Sequence, residues 1–144
     1  MNTFYAIIYA FIRPDIDEKI SIGLLCISND KIYLKTSNKK LTIAKSLVPE
    51  HLALALENEL QSITKMASAE KIDDSIFNER YFNYLHSYKN NIIGFSIANH
   101  LDIEINETIF DKLYRKYVSE NDSAITFIRD RKKSAINLCS SNNS

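Results

Sequence analysis

The first third of the chain alternates between apolar segments and short polar turns. Residues 3–12 are almost all β-branched, aromatic or aliphatic, which is typical of a buried strand. A turn follows at Pro14, because proline fixes its own φ angle and cannot continue a central strand. Residues 19–28 and 31–36 have the composition of two further strands. The pattern predicts an antiparallel meander with its first two strands in the centre of a sheet.

Helical spacing dominates the rest of the chain. A helix is predicted from Pro49, a residue that suits a first helical turn. Its apolar stripe has the spacing i, i+4, i+8, i+11 and i+15: Leu52, Leu56, Leu60, Ile63 and Ala67. A second helix is predicted over 76–88, followed by a strand at 92–97 and an extended segment at 101–105. Asn106 is a good N-cap for a third helix.

These elements predict an α+β fold, with an antiparallel sheet of about four to five strands and the helices on one face. The length of 144 residues is that of about one domain. We predict a single domain over residues 1–120. Residues 121–144 are polar apart from a short apolar patch at 125–128, and are predicted to form a partly ordered or disordered C-terminal tail.

Glycine is scarce, and its two occurrences, Gly23 and Gly94, both fall in predicted strands. A glycine inside a strand usually marks a bulge, a bend or a close approach of another backbone. We therefore predict that Gly23 and Gly94 lie near each other on the sheet, or where another element approaches the backbone closely. The scarcity also excludes a glycine-rich phosphate-binding loop.

Charge and cysteine content narrow the class of protein further. The formal net charge is zero, which gives no global attraction to nucleic acid or to an acidic membrane. Cys26 and Cys139 are too few for a disulfide framework, and we interpret them as free thiols in a reducing compartment. No apolar run approaches the roughly 18 residues that a membrane span needs. The chain is predicted to be cytoplasmic, without membrane attachment.

Two segments resemble a known family. Residues 18–25 (Glu-Lys-Ile-Ser-Ile-Gly-Leu-Leu) are similar to a Glu-x-Val-Asn-Ile-Gly-Val-Val pattern, with Ser21 where the pattern usually has Asn. Residues 113–118 (Leu-Tyr-Arg-Lys-Tyr-Val) resemble a closing Leu-Tyr-x-x-Tyr-Val helix. Both patterns are typical of a bacterial family of small proteins known only as a domain of unknown function. The resemblance implies an α+β domain over 4–119 and a gene that often lies beside one for a HipA-like kinase. It implies no catalytic residues.

One short segment has the residue types of a metal site. His100, Asp102 and Glu104 would share one face of an extended strand, and an imidazole with two carboxylates can bind Zn²⁺ or Mn²⁺. The alternative is the charged face of an edge strand, which discourages aggregation. No other metal-ligand spacing is present, so we predict no cofactor.

Two further groups of residues suggest binding. The predicted helix over 76–88 carries Tyr81, Tyr84 and Tyr88, and tyrosine is favoured at interfaces because its ring is apolar and its tip is polar. The alternative is a core-facing stripe with wet hydroxyls. The densest basic cluster could contact a partner or phosphates, or could be a solvated tail. It comprises Arg129, Arg131, Lys132 and Lys133.

These observations predict a non-catalytic interaction or regulatory module that binds a protein partner, such as a neighbouring kinase-like protein. Two alternatives stay open at this point. One is a nucleic-acid-associated protein in a phage or in defence against phage, and the other is a small metal-dependent hydrolase. The sequence also leaves open whether the chain forms a dimer.

Overall fold

The computed structural model describes residues 3–28, 31–68, 92–119 and 124–130. Within these ranges six strands form one antiparallel sheet. They are β1 (Thr3–Arg13), β2 (Glu18–Ser28), β3 (Lys31–Ser37), β4 (Ile93–Phe95), β5 (Asn99–Leu101) and β6 (Ala124–Asp130).

The order across the sheet is β4-β1-β2-β3-β6, and β5 also pairs with β1. Strands β4 and β5 share one edge of β1, where β4 pairs with residues 8–10 and β5 with residues 3–5. The sheet is thus five positions wide, which confirms the prediction of an antiparallel α+β sheet. Strands β1 and β2 are interior, as the apolar content of both their faces indicates.

Three helices are described: α1 (Asn38–Ser46), α2 (Glu50–Ser68) and α3 (Glu107–Tyr117). Helix α2 follows Pro49 directly, as predicted. The Asn106 side chain caps α3 by accepting a hydrogen bond of 2.8 Å from the Ile109 amide. The Ser37 hydroxyl caps α1 in the same way, accepting from the Lys40 amide at 3.1 Å.

The helices cover both faces of the sheet, and the prediction that they all lie on one face needs correction. Phe4, Ala6 and Ile8 of β1 pack in one core layer with α1 and α2. Tyr5 and Ile7 face the opposite side and pack in a second layer with α3. A strand with large apolar side chains on both faces needs cover on both, because either face left in water would expose apolar area.

Most of the apolar stripe predicted for α2 faces the sheet. Leu56 and Leu60 are buried, and Ile63 packs against the same layer. Leu52 lies in the first turn and is 36% exposed. The side chain of Ala67 lies outside the described part.

A β-bulge accompanies Gly23. Ile8 pairs with Gly23 while the next residue, Tyr9, pairs with Ser21, so Ile22 is the extra residue of β2. Gly94 of β4 pairs with Tyr9 on the other side of β1. The two glycines are therefore paired with adjacent residues of β1, one on each side of that strand. This confirms the prediction that they lie near each other on the sheet.

Strand β6 lies beyond residue 120, where the sequence predicts the domain to end. It pairs with the whole of β3, from Ala124 opposite Ser37 to Asp130 opposite Lys31, so the sheet extends into the predicted tail. Strand β5 ends at Leu101, and the segment expected to be extended to residue 105 continues as a bend and irregular chain. The helix predicted over 76–88 and the tail from residue 131 lie outside the described residues. Among the described helices, none combines the length and apolar character that a bilayer crossing requires.

Candidate functional site

Exposed apolar side chains are frequent in the segment that runs from α1 into α2. The described residues include seven large hydrophobic side chains that are exposed, and four of them lie between positions 43 and 54. We call the three of these that lie off the sheet-facing stripe the α1–α2 patch: Ile43, Leu47 and Leu54. Leu54 has the greatest exposure of the seven, at 60%. Clustered apolar exposure marks interaction sites, whereas single exposed apolar residues are common on any surface.

Helical phase explains why these side chains face outward. On α2, Leu54 lies two positions before the buried Leu56, which is about 200° around the helix. Ile43 of α1 and Leu47, the C-cap residue directly after it, are four positions apart and share a side, while Ala44 is fully buried. Packing of the inward stripe against the sheet thus fixes the outward direction of the patch.

A groove of about 650 Å³ adjoins the patch and shares Leu54 with it. Its lining residues come from both helices: Lys45, Glu50, His51, Ala53, Leu54 and Glu57. The Lys45 ammonium donates a hydrogen bond of 3.2 Å to Glu57 Oε2 and so links the two helices across the groove. Two carboxylates against one ammonium make the lining net negative when His51 is neutral.

The lining supplies binding contacts of two kinds. Ala53 and Leu54 offer an apolar surface, and Glu50 and Glu57 flank it on the same side of α2 because positions 50, 54 and 57 follow helical spacing. An apolar centre with a charged rim is the usual anatomy of a protein contact surface. The groove is therefore suited to a segment that presents apolar side chains next to cationic ones.

Tyrosine is concentrated on the opposite side of the sheet. Five of the eight tyrosines lie in the layer under α3: Tyr5, Tyr9, Tyr33, Tyr114 and Tyr117. The Tyr33 hydroxyl donates to the Ile105 carbonyl at 3.1 Å, and the Tyr5 hydroxyl donates to the Tyr117 hydroxyl at 3.2 Å. These bonds satisfy polar groups that the layer would otherwise bury unpaired.

The Tyr5–Tyr117 pair has unequal acidity. Burial, together with the hydroxyl of Tyr117, raises the pKa of Tyr5 to about 12. The hydrogen bond received from Tyr5 lowers the pKa of Tyr117, and the neighbouring Lys116 ammonium acts in the same direction. Tyr117, which lies nearer the surface, is therefore the first of the two to ionise as the pH rises.

The two segments that carry the family resemblance meet at Lys40. Its ammonium donates to Ser21 Oγ at 2.8 Å, within the first segment, and to the Val118 carbonyl at 2.7 Å, within the second. Val118 is the C-cap of α3, where a cation complements the negative end of the helix dipole. Lys40 thus connects the start of α1 to the end of α3, and the contact has a structural role.

The residues proposed for a metal site are not brought together. His100 lies in β5, with its ring 6.1 Å from that of Phe4, while Asp102 and Glu104 lie in the exposed chain after the strand ends. Their side chains therefore lack the strand alternation that the prediction assumed. Nowhere in the described part do three His, Cys, Asp or Glu side chains gather closely enough to hold a metal ion.

The other predicted site residues lie largely outside the described ranges. This applies to Tyr81, Tyr84 and Tyr88, and also to Arg131, Lys132 and Lys133. Arg129 lies in β6, opposite Ile32 of β3. The predictions for these residues stay predictions.

The α1–α2 patch was not predicted, although the sequence carries a signal for it. Leu54 lies outside the i, i+4 stripe of α2, and a leucine on the polar side of an amphipathic helix is a candidate contact residue. Ile43 and Leu47 are four positions apart, which is also helical spacing. No protein-family model, curated protein or solved structure matches the chain, so the family resemblance stays a hypothesis.

Cys26 is expected to be unreactive in the folded protein. It is fully buried, and burial raises the pKa of its thiol. Since the thiolate is the reactive form, iodoacetamide should modify Cys26 more than about tenfold more slowly in the folded Cys139→Ser variant than in the same variant unfolded in urea. Mass spectrometry of timed samples measures both rates, and equal rates would contradict the burial.

The raised pKa of the buried Cys26 thiol makes the stability of the fold depend on pH. The unfolded thiol ionises near pH 8.5, as an ordinary cysteine does, while the folded thiol keeps its proton to higher pH. The contribution of Cys26 to stability is therefore complete below about pH 8.5 and falls as the pH rises above it.

Proposed function

We propose that the protein is a non-catalytic interaction module that binds a protein partner through the α1–α2 patch and the adjoining groove. The observation that carries the proposal is the exposure of Leu54 in α2 and of Leu47 at the C-cap of α1, at 60% and 55%. Removing exposed apolar side chains from water lowers the free energy, so their burial by a partner would favour binding.

The form of the site supports binding of a macromolecule. The groove lies between two helices and combines apolar contact area with flanking carboxylates, and helical surfaces of this kind receive amphipathic segments of partner proteins. The family resemblance suggests the first partner to test, namely the product of the adjacent gene and in particular a kinase-like protein.

The proposal predicts a specific loss of affinity. Leu54→Lys should weaken binding of the adjacent gene product roughly 10- to 100-fold, because burial of a leucine side chain contributes about 1.5–3 kcal/mol. Isothermal titration calorimetry with the two purified proteins measures the change. Circular dichroism should show an unchanged fold, since Leu54 points away from the core.

Ile16→Lys is the matched control. Ile16 is 57% exposed, close to the value for Leu54, but lies in the turn between β1 and β2. The control variant should bind as the wild-type protein does. Unchanged binding by Leu54→Lys, or an equal loss in both variants, would reject the α1–α2 patch as the contact surface.

A further inference from the structure

One acidic side chain of the groove between α1 and α2 is not neutralised within the described part of the chain. Of the two carboxylates in the lining, Glu57 is paired with Lys45, the single lysine of the lining, at 3.2 Å. Glu50 is exposed, and no described residue forms an ion pair with it. The charge of Glu50 is therefore left for a partner to balance.

Glu50 lies next to an apolar side chain of high exposure. Leu54 is four positions further along α2, so the two side chains lie on the same side of the helix, about 6 Å apart along its axis. Ala53 is small and half-buried, which leaves room beside Leu54 for a side chain of a partner. A complementary surface would present an apolar side chain and a cation at the same spacing.

The exposure of the lining indicates a macromolecular ligand. Glu50, His51 and Leu54 are exposed, and the other three lining residues are half-buried, so the groove is open to solvent. Small-molecule sites instead enclose most of their ligand. An extended peptide segment binds mainly through main-chain hydrogen bonds at a sheet edge, whereas a groove between helices receives the side chains of another helix.

We infer that the ligand of the groove is a cationic amphipathic helix of a partner protein, with an apolar side chain against Leu54 and a lysine or arginine against Glu50. The location of the site rests on the proposed function. The two contact residues of the partner helix are three or four positions apart, because this spacing corresponds to one helical turn. The carboxylate of Glu50 would repel the phosphates of a nucleic acid at this groove.

Selection from a peptide library tests this chemistry with a defined probe. The library displays helical peptides of about 20 residues, a length that supports helix formation, randomised on one face. The target is the full-length chain, and peptides that also bind Leu54→Lys are removed. We expect the selected peptides to be enriched several-fold in lysine or arginine three or four positions from an apolar residue. Enrichment of acidic residues there, no preference for charge, or no selected peptide at all would overturn the inference.

Charge reversal at Glu50 tests which residue the cation contacts. Glu50→Lys should bind a selected peptide several-fold more weakly than the wild-type chain does, as measured by fluorescence anisotropy. Replacing the lysine or arginine of that peptide with glutamate should restore binding to Glu50→Lys. Equal binding of the original peptide by Glu50→Lys and the wild-type chain would overturn the inference.

Glu107→Lys is the matched control. Glu107 is also an exposed glutamate at the first position of a helix, so its reversal disturbs the helix dipole as reversal of Glu50 does. Its helix, α3, packs on the opposite face of the sheet. The control should bind the selected peptide as the wild-type chain does. An equal loss in both variants would mean that Glu50 acts through the stability of its helix, and would also overturn the inference.

The peptide assay and the partner assay fail independently. If Leu54→Lys weakens binding of the adjacent gene product but Glu50→Lys binds it as the wild-type protein does, the proposed function stands and the inference is wrong. If the selected peptides are cationic and depend on Glu50, but Leu54→Lys binds the adjacent gene product normally, the inferred chemistry of the groove stands. The assignment of that partner to the α1–α2 patch is then wrong.

Discussion

Replacing Gly23 with alanine is expected to lower the free energy of unfolding by about 1–3 kcal/mol, the usual range for overpacking. An added Cβ would lie 3.0 Å from the Lys35 carbonyl oxygen, 3.2 Å from Thr36 Cγ2 and 3.3 Å from Ile8 Cδ1. The nearest atom belongs to the backbone of β3, which cannot move away without lengthening the hydrogen bonds between β2 and β3. Urea unfolding followed by circular dichroism measures the effect.

Space, and not backbone conformation, is the reason that position 23 needs glycine. Neither glycine has a positive φ angle, so an alanine would meet no conformational strain there. The bulge at Ile22 lies in the pairing of β2 with β1, whereas Gly23 pairs regularly with Thr36 of β3. The substitution therefore tests the close approach of two strands.

Gly94→Ala is the matched comparison, because the obstruction there is a side chain. Its added Cβ would lie 2.7 Å from a ring carbon of Phe11, a half-buried residue that can turn aside. We expect a smaller loss of stability at position 94, and relief of that loss by Phe11→Ala. Gly23→Ala has no equivalent rescue by a side-chain truncation. A neutral Gly23→Ala variant, or equal losses of stability at positions 23 and 94, would contradict the conclusion that contact with the β3 backbone is what requires glycine at position 23.

Local patterns were sufficient to predict much of the fold. The meander β1-β2-β3 follows from apolar runs separated by turn residues, and the start of α3 follows from the capping chemistry of Asn106. The placement of helices on both faces of the sheet could also have been predicted, since β1 is apolar on both its faces. The prediction of a single helical layer neglected that evidence.

The remaining features depend on contacts between distant parts of the chain. Strand β6 pairs with β3, which lies far away in sequence, and a short apolar patch in a polar segment does not specify its partner strand. The α1–α2 patch depends on which side of each helix packs against the sheet, and Leu54 is identified as exposed only when Leu56 is known to be buried. For this reason the candidate site came from the structure, while the sequence pointed to His100 and to the tyrosines of residues 76–88.

Loss of the Ser28 hydroxyl is expected to destabilise the α3 side of the protein. Ser28 Oγ accepts a hydrogen bond of 2.8 Å from the Ile105 amide and lies 3.2 Å from Thr3 Oγ1, and all three residues are almost fully buried. In Ser28→Ala the buried Ile105 amide loses this acceptor, which should lower the free energy of unfolding by about 1–3 kcal/mol. Chemical denaturation measures the loss.

The same variant should show where that hydrogen bond acts. Ile105 precedes the N-cap of α3, and its carbonyl also accepts from Tyr33, so Ser28 and Tyr33 together hold this segment on the sheet. Hydrogen exchange in Ser28→Ala should therefore quicken over residues 105–110 before it quickens in β1 or β2. Thr3→Val removes only the hydroxyl that lies beside Ser28 Oγ, and it should quicken exchange less than Ser28→Ala does. Ser46→Ala removes an exposed hydroxyl and should leave exchange almost unchanged. A uniform increase in exchange across the sheet would instead mean that Ser28 stabilises the fold as a whole and does not specifically anchor α3.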